Sequence, residues 1–315
     1  MTKTQAQSPG LSRSLVPIVV LTLVWGCNWP ILKLGVSEMP PLTFRAYTIL
    51  FAGLGLMAIA KMSGQSIRLP RATWPVVFLL AFLNITAWNG LVLFGVQQMP
   101  AGRSAILAYT MPVWATLVSL WLLHEPLSKR KIVGLGLGMA GMAVLLGDDL
   151  TALRGRPFGA LMILAASVTW SFGTVLLRKW KPQLPPTTLT AWMMLIGWVP
   201  IALLAPMLDP AWLSAIPTLS GTAWFAILYN ILLAGTAAHW AWFTLARTLP
   251  VAVSSMSSLP VPVVGVFAGI IVLGERPGPA EWLALALVLA ALVAVLWPDR
   301  APPATSAAAP AAPDD

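Results

Sequence analysis

Charge is scarce in this chain of 315 residues. Only 9% of its residues are Asp, Glu, Lys or Arg, whereas an ordinary soluble domain has about 25%. Hydrophobic residues make up 58% of the chain and 16 residues are tryptophans, so we expect most of the surface to face lipid. The single cysteine, Cys27, excludes an internal disulfide and a thiolate metal cage.

Long apolar runs take the place of charged surface. A transmembrane helix needs about 20 mostly apolar residues, whereas a transmembrane barrel would show short alternating strands. The runs therefore predict an all-α integral membrane protein with ten transmembrane helices. We place these helices at 17–36, 42–60, 73–96, 104–123, 130–147, 158–177, 187–207, 221–246, 252–273 and 280–297.

The second half of the chain repeats the first, with one set of residues recurring after 145 positions and another after 150. The pairs include Trp25 with Trp170, Thr43 with Thr188, Pro112 with Pro262, and Glu125 with Glu275. Because each repeat has an odd number of helices, the second starts from the opposite side of the membrane. The sequence thus predicts two inverted five-helix repeats at 15–147 and 158–297, flanked by disordered cytoplasmic termini at 1–14 and 298–315.

The positions of the cations indicate which helix ends face the cytoplasm. With a cytoplasmic N-terminus, 13 of the 19 Lys and Arg residues lie in inner segments, as the positive-inside rule expects. We therefore predict a multi-pass protein of the inner (plasma) membrane with both termini in the cytoplasm. The net charge of +9 is spread over short loops, so no basic face for nucleic acid is expected.

Several residues occur in an order that recurs in the two halves. They are Trp25, Gly26, Asn28 and Trp29 in helix 1, Phe44 and Arg45 at the start of helix 2, Pro112 and Pro262 within helices 4 and 9, and Glu125 and Gly274-Glu275 after those helices. In these residues the chain resembles the ten-helix EamA-type transporters of the drug/metabolite transporter superfamily, over about residues 15–297. The resemblance implies alternating access, with a substrate path lined by helices 1 to 4 and 6 to 9. It also implies export of a small metabolite, an amino acid or a related amphiphile.

Polar side chains within apolar segments are candidates for the substrate path, because burying a polar group in lipid costs free energy. Tryptophans could supply flat apolar walls for a ligand, although they also serve as interface anchors or as packing. The path candidates are Trp25, Asn28, Trp29, Arg45, Asn84, Trp88, Asn89, Arg103, Tyr109, Trp170, Asn230, His239 and Trp240.

Two of these candidates break the symmetry of the repeat. Arg45 matches the uncharged Thr190. Its guanidinium could attract an anionic or zwitterionic substrate group, joined by Arg103, or it could extend to the outer headgroups. His239 matches Asn89 and could be a proton-sensitive gate or a neutral histidine hydrogen-bonded between helices.

Prolines are expected to bend two helices. Pro112 lies near the middle of helix 4, and Pro260 and Pro262 lie near the middle of helix 9. Each proline lacks an amide donor and displaces the carbonyl four residues earlier, so each helix should kink. The kinks are hinge candidates or carbonyl-lined sites, with static bends as the alternative.

None of the ten Asp and Glu residues lies at mid-membrane. Proton coupling through a carboxylate is therefore not supported, and facilitated diffusion, exchange or coupling through His239 remains open. Glu125 and Glu275 are expected to stabilise the N-termini of helices 5 and 10. Small residues on these two helices, such as Ala286 and Ala290, favour packing within the protomer over a dimer interface.

Two other functional classes compete with a transporter. A polytopic enzyme needs a nucleophile with a base, an acid pair or metal ligands, and two histidines, one cysteine and no buried acid do not supply them. A lipid or polyprenol flippase needs a polar groove with a lateral opening, which the sequence neither shows nor excludes. We therefore expect a transporter with no catalytic residue, metal or cofactor. Its expected partners are a small-molecule substrate and the bilayer, as a monomer or homodimer.

Overall fold

The structure is a computed structural model that describes residues 11–124, 128–151, 158–209, 218–241 and 260–296. Apart from short turns, this described part is helical and contains no strand. Its helices are α1 (Leu11–Glu38), α2 (Pro41–Met62), α3 (Arg71–Gln98), α4 (Ala101–Leu123), α5 (Lys129–Thr151), α6 (Phe158–Trp180), α7 (Pro186–Leu208), α8 (Gly221–Ala241), α9 (Val261–Leu273) and α10 (Pro279–Leu296).

Eight of these helices, α1 to α8, are long and apolar enough to cross a membrane, whereas α9 and α10 are shorter apolar helices within the described residues. The predicted all-α membrane fold is thereby confirmed. Ten crossings stay a prediction, because the segments predicted at 221–246 and 252–273 lie partly outside the described residues. Helix α1 begins at Leu11, within the segment 1–14 that the sequence predicts to be disordered. Residues 1–10 and 297–315 lie outside the described residues.

The outer surface of the helices carries large apolar side chains. Phe51, Trp121, Leu203 and Ile271 are between 47% and 80% exposed. Side chains of this size lose favourable burial when they face water, whereas lipid tails accommodate them. The exposed positions thus identify the surface that faces the bilayer.

The packing of the helices follows a two-fold relation between the halves. Helix α2 packs against α7, and α5 packs against α10. Helix α1 contacts α8 and α9, and its counterpart α6 contacts α3 and α4. Adding five to each helix number, and counting on from α10 to α1, exchanges the contacts of α1 with those of α6 and leaves the other two contacts unchanged, as two inverted repeats require.

Single polar contacts between the halves repeat in the same way. The Thr86 hydroxyl donates to the Gly197 carbonyl at 2.8 Å. The Thr236 hydroxyl donates to the Ile231 carbonyl of its own helix at 2.7 Å and lies 3.5 Å from the Ala52 carbonyl. Thr236 is the repeat equivalent of Thr86, and Gly197 is that of Ala52. The pseudo-symmetry therefore extends to individual side chains in the middle of the bundle.

Each repeat widens its third helix into a π-helix. The widened turns lie at Phe82–Ala87 in α3 and at Tyr229–Ala237 in α8. A π-helix bonds residue i to residue i+5, is rare, and frequently occurs at functional sites. Its extra residue per turn rotates every side chain that follows it relative to a regular helix.

Helix α4 is interrupted where the sequence predicts a kink. Its first part ends at Ala108, a turn follows at Tyr109, and the second part begins at Met111 with Pro112 in its first turn. Because Pro112 has no amide hydrogen, the Ala108 carbonyl loses its helical donor. The Ser167 hydroxyl from α6 lies 3.1 Å from that carbonyl and can donate to it instead. The kink predicted for helix 9 lies partly outside the described residues.

The contact between α5 and α10 uses a different face of α10 from the one expected. Gly141 of α5 lies against Ala284 and Val288 of α10, both buried. Ala286 and Ala290, the small residues expected to pack within the protomer, are exposed. That expectation was wrong for these two positions, because a regular spacing of alanines does not show which neighbour a helix face meets. A dimer interface, the alternative for these residues, stays a prediction.

Candidate functional site

A cavity of about 160 Å³ lies among α1, α2, α3, α4, α6, α7 and α8. Among the described residues, α5, α9 and α10 contribute nothing to its wall. This agrees with the expected position of helices 5 and 10 outside the path, whereas the helix 9 expected to line it lies partly outside the described residues. Eleven of the thirteen path candidates line the cavity. They are Trp25, Asn28, Trp29, Arg45, Asn84, Trp88, Asn89, Tyr109, Trp170, Asn230 and His239.

Arg103 is one of the two candidates that lie elsewhere. Its side chain is paired with Glu281, with Nη2 at 2.7 Å and Nε at 3.0 Å from Oε1. This pair lines a smaller pocket beside Glu275 and Arg276, away from the cavity wall. The idea that Arg103 joins Arg45 is therefore wrong, because a partner 178 positions away holds its guanidinium at the start of α10.

Trp240 is the other candidate that lies outside the cavity. Its side chain is 46% exposed on the outer surface of α8, although His239 beside it lines the cavity. The π-helix at Tyr229–Ala237 comes immediately before it. Because a π-helix changes which residues share a face, a regular helical period cannot predict the direction of Trp240.

Arg45 places a positive charge on the cavity wall. The side chain is only 8% exposed, and its Nη1 donates to Asn230 Oδ1 at 3.2 Å. Its Nε is buried and has no hydrogen-bond partner. Its guanidinium carbon lies 5.9 Å from the centre of the Phe44 ring. Burying a charge with so few partners costs free energy, so this arginine faces the cavity at a cost to stability.

Two further polar atoms at the wall also lack partners. Asn28 Oδ1 in α1 and Thr48 Oγ1 in α2 are buried without a hydrogen bond to any described group. Thr48 lies three residues after Arg45, which places the two side chains on one face of α2. Most buried polar groups in proteins are hydrogen-bonded, so three orphaned polar atoms around one cavity indicate a place for a ligand or water.

Aromatic rings form much of the remaining wall. Trp88 and Trp170 pack with their ring centres 5.0 Å apart and tilted by 55°. Trp25 meets the His239 ring edge-on at 5.5 Å. His239 Nδ1 lies 2.9 Å from the Ala234 carbonyl, and because a carbonyl only accepts, Nδ1 carries a hydrogen. The ring is thus oriented by the backbone of the π-helix in α8.

The two asparagines of α3 are bonded to backbone. Asn84 Nδ2 donates to the Trp170 carbonyl at 3.0 Å, and Asn89 Nδ2 donates to the Ile85 carbonyl at 2.7 Å. The Asn84 bond joins the third helix of one repeat to the first helix of the other. These bonds orient the amide oxygens at the cavity edge.

The described carboxylates hold helix ends together at one end of the bundle. Glu275 accepts from the Ala101 and Gly102 amides at 2.6 and 3.0 Å, so it caps α4 and not helix 10 as expected. Glu281, in the first turn of α10, accepts from the Gly278 amide at 2.9 Å. The expectation for Glu275 was wrong because the loop folds back across α4, and Glu125 lies outside the described residues.

Two remaining carboxylates make the same kind of contact. Glu38 accepts from the Ser220 amide at 2.9 Å, at the start of α8. Asp209 accepts from the Thr43 amide at 2.7 Å, at the start of α2. Negative groups are favourable at helix N-termini, and these two bonds also join the two halves. The described residues that line the cavity include no acid.

The hinge candidates lie beside the cavity or beyond it. Pro112 separates Tyr109 and Met111, which line the wall, from the rest of α4. Pro262 is buried in the first turn of α9, and Pro260, which precedes that helix, is exposed. None of the three prolines lines the cavity, so any role in motion remains a prediction.

Sequence reasoning missed several residues of the wall. Thr48, Met111 and Met194 line the cavity, as do small residues such as Ala52 and Gly235. Thr48 could have been found from its spacing to Arg45 on α2. The others carry no polar signal that separates them from ordinary packing residues.

Comparison with known proteins agrees with this architecture. The EamA-like transporter family matches the chain at residues 13–147 and again at 157–297. A solved crystal structure superimposes with a TM-score of 0.65 at 21% identity, covering 90% of this chain and 96% of that one. This likeness shows a shared fold.

Curated relatives are named as transporters. The uncharacterized inner membrane transporter YedA of Escherichia coli is 29% identical over 90% of this chain and 92% of its own length. The uncharacterized transporter YoaV of Bacillus subtilis is 24% identical, over 83% and 89%. A probable amino-acid metabolite efflux pump of Escherichia coli is 25% identical, over 87% and 91%. The chain is a membrane transporter and belongs to the EamA-like transporter family.

Proposed function

We propose that the protein moves a small metabolite, an amino acid or a related amphiphile, across the inner membrane by alternating access and acts as an exporter. The observation that carries the proposal is the central cavity, which combines a buried cation, unpartnered polar atoms and tryptophan walls. Ligand sites are typically apolar cavities with a few polar groups that orient the ligand. The relative named as an efflux pump for amino-acid metabolites supports both the substrate class and the direction.

The two-fold relation between the halves supports the mechanism. Two similar halves around a shared site can adopt inward-open and outward-open arrangements of similar energy. The cavity receives side chains from both repeats, with Asn28 and Arg45 from the first and Asn230 and His239 from the second. Relative motion of the halves would therefore change the access to the site.

Flux through purified protein in proteoliposomes tests the proposal. The panel consists of labelled amino acids, purines and sugars, each measured with and without a proton gradient. We expect saturable flux of an amino acid, and accumulation of the same solute in inverted membrane vesicles. Lipid scrambling without solute flux would instead favour a flippase.

A cysteine variant links that flux to the cavity. The chain has one cysteine, so Cys27→Ser gives a background without thiols. In that background, thiol modification of Met111→Cys, a partly exposed position on the cavity wall, should block flux, and excess substrate should protect it. The matched control is Gln183→Cys in the exposed α6–α7 loop. Equal inhibition of both variants would contradict transport through this cavity.

A further inference from the structure

We infer that the cavity selects small organic anions. The substrate's carboxylate binds Arg45, and its apolar body lies against the tryptophans. A substrate ammonium group makes no net favourable contribution to binding. This inference rests on the proposed transport function and narrows its substrate class. The argument uses the charges, the unpartnered atoms and the shape of the wall.

The described residues of the wall carry charge of one sign. Arg45 is among them, and they include no Asp or Glu. The carboxylates Glu38, Asp209, Glu275 and Glu281 are each bonded to helix ends elsewhere. A substrate anion would therefore supply the charge partner that the lining residues do not give Arg45.

Unpartnered hydrogen-bond donors on two lining residues suit a carboxylate. Arg45 uses Nη1 for Asn230, which leaves its buried Nε for another acceptor. The Thr48 hydroxyl, three residues further along α2, has no partner and can also donate. Guanidinium groups bind carboxylates through paired donors, so a carboxylate can satisfy these donors together.

The same wall does not suit an ammonium group. The lining amide oxygens of Asn28, Asn84 and Asn89 are neutral acceptors, and the described lining residues include no carboxylate that would offset a cation. An ammonium on the carbon beside the carboxylate would also lie within a few ångströms of the Arg45 guanidinium. Like charges at that separation repel strongly in a poorly solvated site. A substrate with net negative charge should therefore bind at least as tightly as the corresponding zwitterion.

The remaining wall suits a flat apolar body. Trp25, Trp29, Trp88 and Trp170 line the cavity, and Trp88 packs on Trp170 with ring centres 5.0 Å apart. Indole rings bury large apolar areas and stack on other rings. The ligand class is therefore an apolar or aromatic monocarboxylate.

Three ligands that differ only in their ionised groups test this inference. Phenylpropionate has the carboxylate, phenethylamine has the ammonium, and phenylalanine has both. Binding is measured by calorimetry on the protein in lipid nanodiscs, with empty nanodiscs correcting for partition into lipid. We expect phenylpropionate to bind at least as tightly as phenylalanine, and each of them at least about tenfold more tightly than phenethylamine, the effect of one charge-assisted bond.

Variants assign that preference to Arg45. Arg45→Gln should weaken phenylpropionate binding about ten- to a hundredfold. The affinity for phenylalanine should not rise relative to that for phenylpropionate. The matched control is the double variant Arg103→Gln/Glu281→Gln, which removes the other buried arginine together with its partner. It should leave the affinity unchanged, because distant sites act independently.

Each outcome decides the inference. Phenethylamine binding as tightly as phenylpropionate would overturn it, as would an unchanged affinity in Arg45→Gln or no binding of any of the three ligands. If Arg45→Gln does not fold, the ligand series on the unaltered protein decides alone. Flux of another solute without phenylpropionate binding overturns this inference only, whereas tight binding without any flux overturns the transport function only.

Discussion

Breaking the ion pair between Arg103 and Glu281 should destabilise the protein far more than replacing both partners. The atoms are 2.7 Å apart and the side chains are 8% and 15% exposed, so both charges are largely withdrawn from solvent. Removing one partner of a buried pair leaves the other charge poorly compensated, whereas replacing both can be nearly neutral. We expect each single change to Gln to cost about 2–4 kcal/mol and the double change about 1 kcal/mol or less.

Reversible unfolding in mixed micelles by a denaturing detergent, followed by helical circular dichroism, measures these free energies. The cycle should give a coupling energy of about 3 kcal/mol or more. Arg276→Gln, at an exposed position in the loop between α9 and α10, is the matched control and should change stability by less than about 0.5 kcal/mol. A double variant that loses as much as the two single changes added together would refute this reasoning.

Three further predictions concern the interior. Pro112→Ala restores an amide donor at the interruption of α4, which should make the helix continuous and stiffer there. Transport should therefore slow, while the yield of folded protein stays normal. An unchanged transport rate would contradict a hinge at Pro112. His239→Gln should keep the shape of the pH profile of transport, because a second positive charge is disfavoured in a poorly solvated cavity whose wall already holds Arg45. A flattened profile would instead indicate titration of His239. Gly173→Ala places a methyl group against the Asn84 amide and should cost about 1–3 kcal/mol, measured as a lower unfolding temperature. Gly90→Ala, with open space around it, is the control, and equal losses would contradict the packing argument.

Much of the fold follows from the sequence because lipid imposes simple rules. The backbone must satisfy its own hydrogen bonds in the membrane, so apolar runs become helices, and an odd number of helices in each repeat inverts the second half. The same rules identified the main polar residues of the cavity wall, since Asn28, Arg45, Asn84 and Asn230 are polar groups that would be costly in lipid. Polarity inside an apolar segment is a local signal, and it needs no knowledge of neighbours.

The parts that failed depend on distant contacts or on helix register. The partner of Arg103 is 178 positions away, and no local pattern predicts that Glu281 lies beside it. Glu275 caps α4 because the loop after α9 folds over that end, which no sequence spacing shows. Trp240 was misplaced because the preceding π-helix changes which residues share a face.

The central claim is that the two halves move relative to each other around the cavity. Glu38 and Ser220 join the halves at one end of the bundle, with Oε1 and Oγ 2.6 Å apart. Both are changed to cysteine in the Cys27→Ser background, and a disulfide between them should hold that end closed.

Flux before and after oxidation of this cysteine pair tests the claim most directly. Oxidation should stop flux, reduction should restore it, and each single-cysteine variant should transport normally under both conditions. Transport by the fully cross-linked protein at the same rate as the chemically reduced protein would contradict relative motion of the two halves.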